Sequence, residues 1–267
     1  MSAVVSITAP TRSWRLSARG YERLISIASP IALLLVWELA AHFGVVDIRF
    51  FPAPSAILQK LIALVQSGEL MRHTLTSLGR LGWGILLGGV PALILGIMMG
   101  LNRVFRAAVE PLVAALYPIP KSSIVPLALL IFGLGEGSKI FMVAVGVFFP
   151  VIINTTTGVL EINKIYLDVG KNFEANRWNT FRTIALPGAL PFIMTGIRLG
   201  IGMGLVLIAV AEMIGAKSGL GFMIWNAWEI FAVEQMYVGL FVIAVIGVAL
   251  TVVLQELERV IIPWKTA

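Results

Sequence analysis

The sequence predicts an all-α integral membrane protein with six membrane-crossing helices, and three observations carry that class. Of 267 residues, 58% are hydrophobic and 13% charged, with a mean hydropathy of +0.95, against about 25% charged in soluble domains. Apolar runs of about 20 residues, the length a bilayer demands, recur along the chain. Lys and Arg are twice as frequent in alternate connecting segments as in the others, the bias that marks cytoplasmic loops. The net charge of +6 follows from those loops, so nucleic-acid binding gains no support from it. The chain holds no cysteine, and His42 and His73 form no ligand pair, so neither a disulfide framework nor a metal site is expected.

Residues 1–23 form a basic segment with Arg12, Arg15, Arg19 and Arg23, expected on the cytoplasmic side. A transmembrane domain follows over 24–267, with spans at about 24–43, 81–102, 111–135, 140–160, 190–211 and 235–255. The first run is long enough to cross, holds Glu38 and lacks a small-x-small cleavage site, so it reads as a retained span rather than a signal peptide. Pro52 and Pro54 then break the chain. Ile57, Leu58, Leu61, Ile62 and Val65 share one face of the next segment, which is too short to cross and suits the membrane interface. The second span is free of charge, and its pairs Gly84/Gly88 and Gly96/Gly100 have the small-xxx-small spacing that lets helices approach closely.

The third span is unusual: it contains Pro111, Pro118, Pro120 and Pro126, together with Lys121, Ser122 and Ser123. Lipid cannot replace the donors that prolines remove, so a helix broken this way must be sheltered by protein or line a wet cavity. The fourth span is charge-free, with Asn154 towards its inner end. The fifth carries Arg198 among Gly196, Gly200, Gly202 and Gly204 and ends near Glu212. A small-residue turn, 215–219, leads into an aromatic stretch from Leu220 to Val233 that is short for a crossing and reads as re-entrant or interfacial. The sixth span closes the domain.

With the N-terminus inside, the inner segments carry Arg103, Arg106, Lys164, Lys171, Arg177, Arg182, Arg259 and Lys265 besides the four N-terminal arginines. The outer ones carry Arg49, Lys60, Arg72, Arg80, Lys139 and Lys217. The bias places the polar stretch between spans four and five, residues 161–189, in the cytoplasm. Asn176 is a fair N-cap, and after it Trp178, Phe181, Ile184 and Ala185 recur at helical spacing until Pro187. A short helix presenting aromatics beside cations at a membrane face suits docking against another protein. A solvated loop whose aromatics rest on lipid headgroups is the plain alternative.

The loop resembles the cytoplasmic "EAA" coupling loop of ABC importer permeases, in particular the nitrate/sulfonate/taurine group. That group reads Gly-Ala-Ser-x-x-x-x-Phe-x-x-Val/Ile-x-Leu-Pro, and Glu174-Ala175-Asn176, Phe181, Ile184, Leu186 and Pro187 fall at those places. Tyr117-Pro118-Ile119-Pro120 through Pro126-Leu127 also resembles the family pattern. Two departures stand out: Asp168-Val169-Gly170 replaces Glu-Ala-Ala, and Glu174 replaces a glycine. A glycine there suits a left-handed turn, where another residue costs roughly 1 kcal/mol, so either the turn is reshaped or Gly170 supplies the flexibility.

The resemblance implies a type I ABC importer permease fold in a bacterial inner membrane, with both termini cytoplasmic. It implies two ATPase subunits, an extracytoplasmic solute-binding protein and a second copy of this chain as partners. The coupling residues it implies are Asp168, Gly170, Glu174, Ala175, Asn176, Arg177, Trp178, Phe181, Arg182 and Pro187. No cofactor is expected on this chain; ATP and Mg would sit on the partner ATPase. Consistent with that, the nearest approach to a phosphate loop, Gly133 to Lys139, lacks Gly-Lys-Ser/Thr. Nothing suggests an enzyme, since no catalytic constellation lies in the spans.

Lys121 and Arg198 are the ionisable residues deepest in the spans, and such charges usually face a bundle interior or a pore. Lys121, Ser122, Ser123, Asn154, Arg198 and Glu212 are the candidate pathway residues, and two deep cations favour an anionic or zwitterionic passenger such as a sulfonate, taurine or nitrate. Snorkelling by Lys121 and capping of proline-freed carbonyls by Arg198 stand equally open. Pairing of these cations with Glu38 or Glu212 would weaken the anion argument. The competing function is an ion-coupled carrier or channel, which would need deep carboxylates at broken helices; the chain has few.

Overall fold

The computed structural model describes the backbone of residues 18–264, and side chains from residue 25 onwards apart from 27, 164, 167, 171 and 177. Arg12 and Arg15, and the side chains of Arg19, Arg23 and Arg177, lie outside the described residues. Every regular element among the described residues is helical.

Residues 1–56 and 57–267 are separate compact units. In the first, helix α1 (Ala18–His42) gives way to irregular chain from Phe43. Glu38 accepts hydrogen bonds from the backbone N–H (2.9 Å) and hydroxyl (2.7 Å) of Ser55, at the start of helix α2 (Pro54–Gln66). A carboxylate at a helix start satisfies donors the helix cannot. Glu38 is therefore a cap in this unit.

The second unit is built on three long helices: α3 (Glu69–Leu101), α6 (Glu136–Leu160) and α9 (Leu186–Met213). Their glycines set how closely they pack. A Cβ on Gly96 would lie 2.7 Å from Thr155 Cβ, and one on Gly196 would lie 2.9 Å from Asn154 Cβ, distances no real side chain tolerates. Gly84 faces Val143 and Gly100 faces Val159, so α3 and α6 run parallel; Gly158 faces Phe192 and Gly204 faces Val143, so α9 runs antiparallel to α6. Leu81, Ala92, Val147, Val151, Ile152 and Ile208 fill the core between them.

Helix α4 (Arg103–Leu116) begins at Asn102, whose side chain accepts from the N–H groups of Val104 (2.9 Å) and Phe105 (3.1 Å). A 3₁₀ turn, Lys121–Ile124, leads into α5 (Val125–Phe132). Together they make a 90° bend, so the expected straight span over 111–135 is a bent pair. The chain turns where Pro118 and Pro120 remove donors.

Beyond α6 come α7 (Lys164–Asn172), α8 (Arg177–Thr180) and, after α9, α10 (Leu220–Glu229) and α11 (Val233–Ile261). Among the described residues, four helices are long and apolar enough to cross a membrane, five crossings if the bent pair is one. Four of the six expected spans thus have long straight helices, 111–135 is bent, and the described apolar part of α1, Ala28–His42, is short of the about 20 residues a crossing takes.

Candidate functional site

The polar loop folds as two short helices meeting at a tight turn. Asn163 starts α7 by accepting from Ile165 N–H at 3.0 Å, and Asn176 starts α8 by accepting from Asn179 N–H at 2.8 Å, the N-cap role its residue type suits. Between them Glu174 takes φ 52°, and the Ala175 N–H closes on the Gly170 carbonyl at 2.9 Å. A left-handed residue followed by a six-to-one bond is the Schellman helix stop. The turn is therefore not reshaped, and Gly170 is not its source of flexibility: Glu174 adopts the glycine conformation itself. Gly170 is buried against Ile184, whose Cδ1 would lie 2.9 Å from a Cβ there.

After α8 the chain widens into a π turn, Phe181–Ala185, before α9. The Leu186 N–H reaches back to the Phe181 carbonyl. The cause is Pro187, which removes a donor and whose ring would collide with the carbonyl four residues back. The helix nevertheless continues, so Trp178 to Met213 is one continuous helix of 36 residues. Ile165, Tyr166, Val169, Phe173 and Trp178 all face outwards, with Phe173 83% and Trp178 65% exposed. Trp178 stacks obliquely on Phe181, ring centroids 5.6 Å apart. Ala175 and Phe181 are half-buried, whereas Asp168 and Arg182 are exposed. The result is an apolar surface on α7 and α8, with Trp178 and Phe181 standing on the helix that continues to Met213.

The candidate pathway residues are not gathered in this way. Lys121 is buried with Nζ donating to the carbonyls of Leu116 (3.1 Å), Tyr117 (2.7 Å) and Ile119 (2.8 Å), and lies 4.4 Å from the centre of the Phe149 ring. It caps the carbonyl end of α4, where a cation is favoured. Arg198 donates through Nη2 to Glu258 on α11 at 2.5 Å, and Asn154 donates to the Pro150 carbonyl at 2.8 Å. Glu258 lies past the expected end of the sixth span, because α11 extends to Ile261. Ser122 and Ser123 are exposed at the bend. A groove of about 640 Å³ beside α5 and α6, lined by Leu87, Pro91, Phe132, Phe141, Phe148 and Phe149 among others, includes none of the six.

Glu212 belongs to a different assembly at the other end of α9, which the sequence reading missed. Its carboxylate, 1% exposed, accepts from Arg80 Nη1 at 2.8 Å, from Ser77 Oγ at 2.8 Å and from the Gly221 N–H at 2.9 Å. Arg80 also grips Glu136 through Nε and Nη2, both at 2.6 Å, and donates to the Ser218 carbonyl at 2.7 Å. Ser77 Oγ accepts from Leu220 N–H at 2.8 Å, and His73 Nδ1 accepts from Gly219 N–H at 3.0 Å. Lys139 donates to the carbonyls of Leu134 and Gly215. A signal was present in the sequence: His73, Ser77, Arg80, Gly84 and Gly88 fall on one helical stripe.

Residues 92–266 match the protein family described as "Binding-protein-dependent transport system inner membrane component". The chain is 33% identical over 248 residues to the taurine transport system permease protein TauC of Escherichia coli K12, covering 90% of this chain and 89% of the relative. It is 32% identical over 238 residues to the putative aliphatic sulfonates transport permease protein SsuC of Bacillus subtilis 168, covering 89% and 86%. It is 28% identical over 251 residues to the nitrate import permease protein NrtB of a Synechocystis strain, covering 90% of each.

Proposed function

The chain belongs to the binding-protein-dependent transport system inner membrane components, as a permease subunit of an ABC importer of the nitrate/sulfonate/taurine group, and from that premise we propose how it works. A separate ATPase seats on the 164–182 loop, which faces the cytoplasm. Two copies of this chain, each engaging one ATPase, form the pathway. An extracytoplasmic binding protein delivers the solute to the opposite end, near residues 215–219. The passenger is a small anion or zwitterion, with alkanesulfonates and taurine first, because the relatives at 33% and 32% identity are named for taurine and aliphatic sulfonates. Its charge preference draws no support from Lys121 or Arg198, both of which are engaged within the protein.

One observation carries the coupling role: exposed Trp178 stands at the start of a helix that continues to Met213, with exposed Phe173 at the turn just before it. A surface of that kind, large and apolar among polar neighbours, marks a partner site. Replacing both, Phe173→Ala with Trp178→Ala, is expected to abolish ATPase co-purification from gently solubilised membranes while leaving the chain inserted. Retained co-purification would move the docking surface elsewhere. Taurine, alkanesulfonate and nitrate uptake by the reconstituted complex decides among the passengers.

A further inference from the structure

The function proposed above gives Arg80 and Glu212 no role, although their junction borders the 215–219 delivery site and is densely hydrogen-bonded. Arg80 is 4% exposed and sits between two carboxylates of opposite character: the Glu212 side chain is 1% exposed and that of Glu136 is 64% exposed. Four polar contacts of the 218–221 segment end on buried side chains of α3 or α9. The Ser218 carbonyl goes to Arg80, the Gly219 N–H to His73, the Leu220 N–H to Ser77 and the Gly221 N–H to Glu212. Gly219 takes φ 118°, and a Cβ there would collide with the Glu212 carboxylate, so the segment lies directly on that group.

Buried charges of this kind are all-or-none. Removing one partner strands the other without water, so the arrangement does not yield gradually. The continuous helix Trp178–Met213, of which α9 is the last part, ends here and begins at the exposed Trp178. We infer that Arg80 is a positioning residue for transport: through Glu212 it makes the 214–221 segment part of the α3–α6–α9 block. A displacement applied at the Trp178 end of the Trp178–Met213 helix then reaches 214–221 without slack. The source of that displacement rests on the function proposed above; the rigid junction does not. Glu136 is the contact that solvent can replace, whereas Glu212 is not.

The test uses the complete transporter in nanodiscs. The chain has no cysteine, so Arg72→Cys on α3 and Lys217→Cys, both at exposed positions, placed together in one of the two copies and assembled with cysteine-free partner subunits, give a single label pair. The expected result is one narrow label-to-label distance that stays the same between nucleotide-free and ATP-trapped states. Arg80→Met is expected to broaden that distribution and lower uptake by about tenfold or more, with ATPase co-purification retained. Arg80→Lys, which keeps the charge and loses the fork, should fall between. Glu136→Gln should stay within about twofold of the unsubstituted transporter, as a largely solvated partner contributes little.

A distance that shifts with nucleotide state while Arg80 is present would overturn the inference, as would uptake unchanged by Arg80→Met. If Arg80→Met fails to assemble, the two-state distance in the unsubstituted transporter decides. If no ATPase associates at all, the functional reading fails separately. The label distance in the permease alone, with Arg80 against Arg80→Lys, still reports whether Arg80 fixes 214–221.

Discussion

Lys121 spends its charge on three carbonyl oxygens at the end of α4 and on the faces of Tyr117 and Phe149. Lys121→Met removes three charge-assisted hydrogen bonds to carbonyls at the bend, at a cost of about 1–3 kcal/mol. The expected outcome is a lower unfolding temperature in detergent, with the preference among taurine, sulfonate and nitrate unchanged; altered selectivity at unchanged stability would return Lys121 to the pathway. Glu174 holds a left-handed turn at φ 52°. Glu174→Gly should relieve about 1 kcal/mol there, read as slower hydrogen exchange of the amides around 170–176. Exchange that stays the same or speeds up would mean that Glu174 makes a compensating contact.

At the level of elements, the glycine stripes govern. Gly196→Leu would drive a side chain into Asn154 and the Pro150 carbonyl, and overpacking of this kind costs typically 1–3 kcal/mol, at times more. The expected outcome is a thermal transition lowered in detergent and a looser α6–α9 pair. Much of this was legible in the chain. The Gly84/Gly88 and Gly96/Gly100 spacing announced close packing, Asn176 announced the start of α8, and four prolines announced trouble between 111 and 135. What stayed hidden were facts that need distance. Glu258 lies 60 residues from Arg198 and looked like part of a tail. Arg80 and Lys139 counted only as outer-loop cations, since nothing local shows that α3, α6 and α9 bring them to Glu212. The π turn was invisible because Pro187 alone does not say whether a helix stops or widens.

At the scale of the whole molecule, helical order and membrane character follow from composition, and the family match fixes the kind of machine. The straight third span does not survive, because the prolines and Lys121 fold it into a bent pair. A backbone broken at that depth needs protein or water beside it, which a second copy around a shared pathway would provide. One further consequence comes from the length of the Trp178–Met213 helix. At 36 residues and 1.5 Å per residue it measures about 54 Å, well beyond the roughly 30 Å of a hydrocarbon core. Such a helix crosses with several turns to spare, and its tilt is set by the glycine-lined faces it packs against on α6. A surplus of that length lets the Trp178 end stand clear of the acyl chains, where water and a protein can reach it.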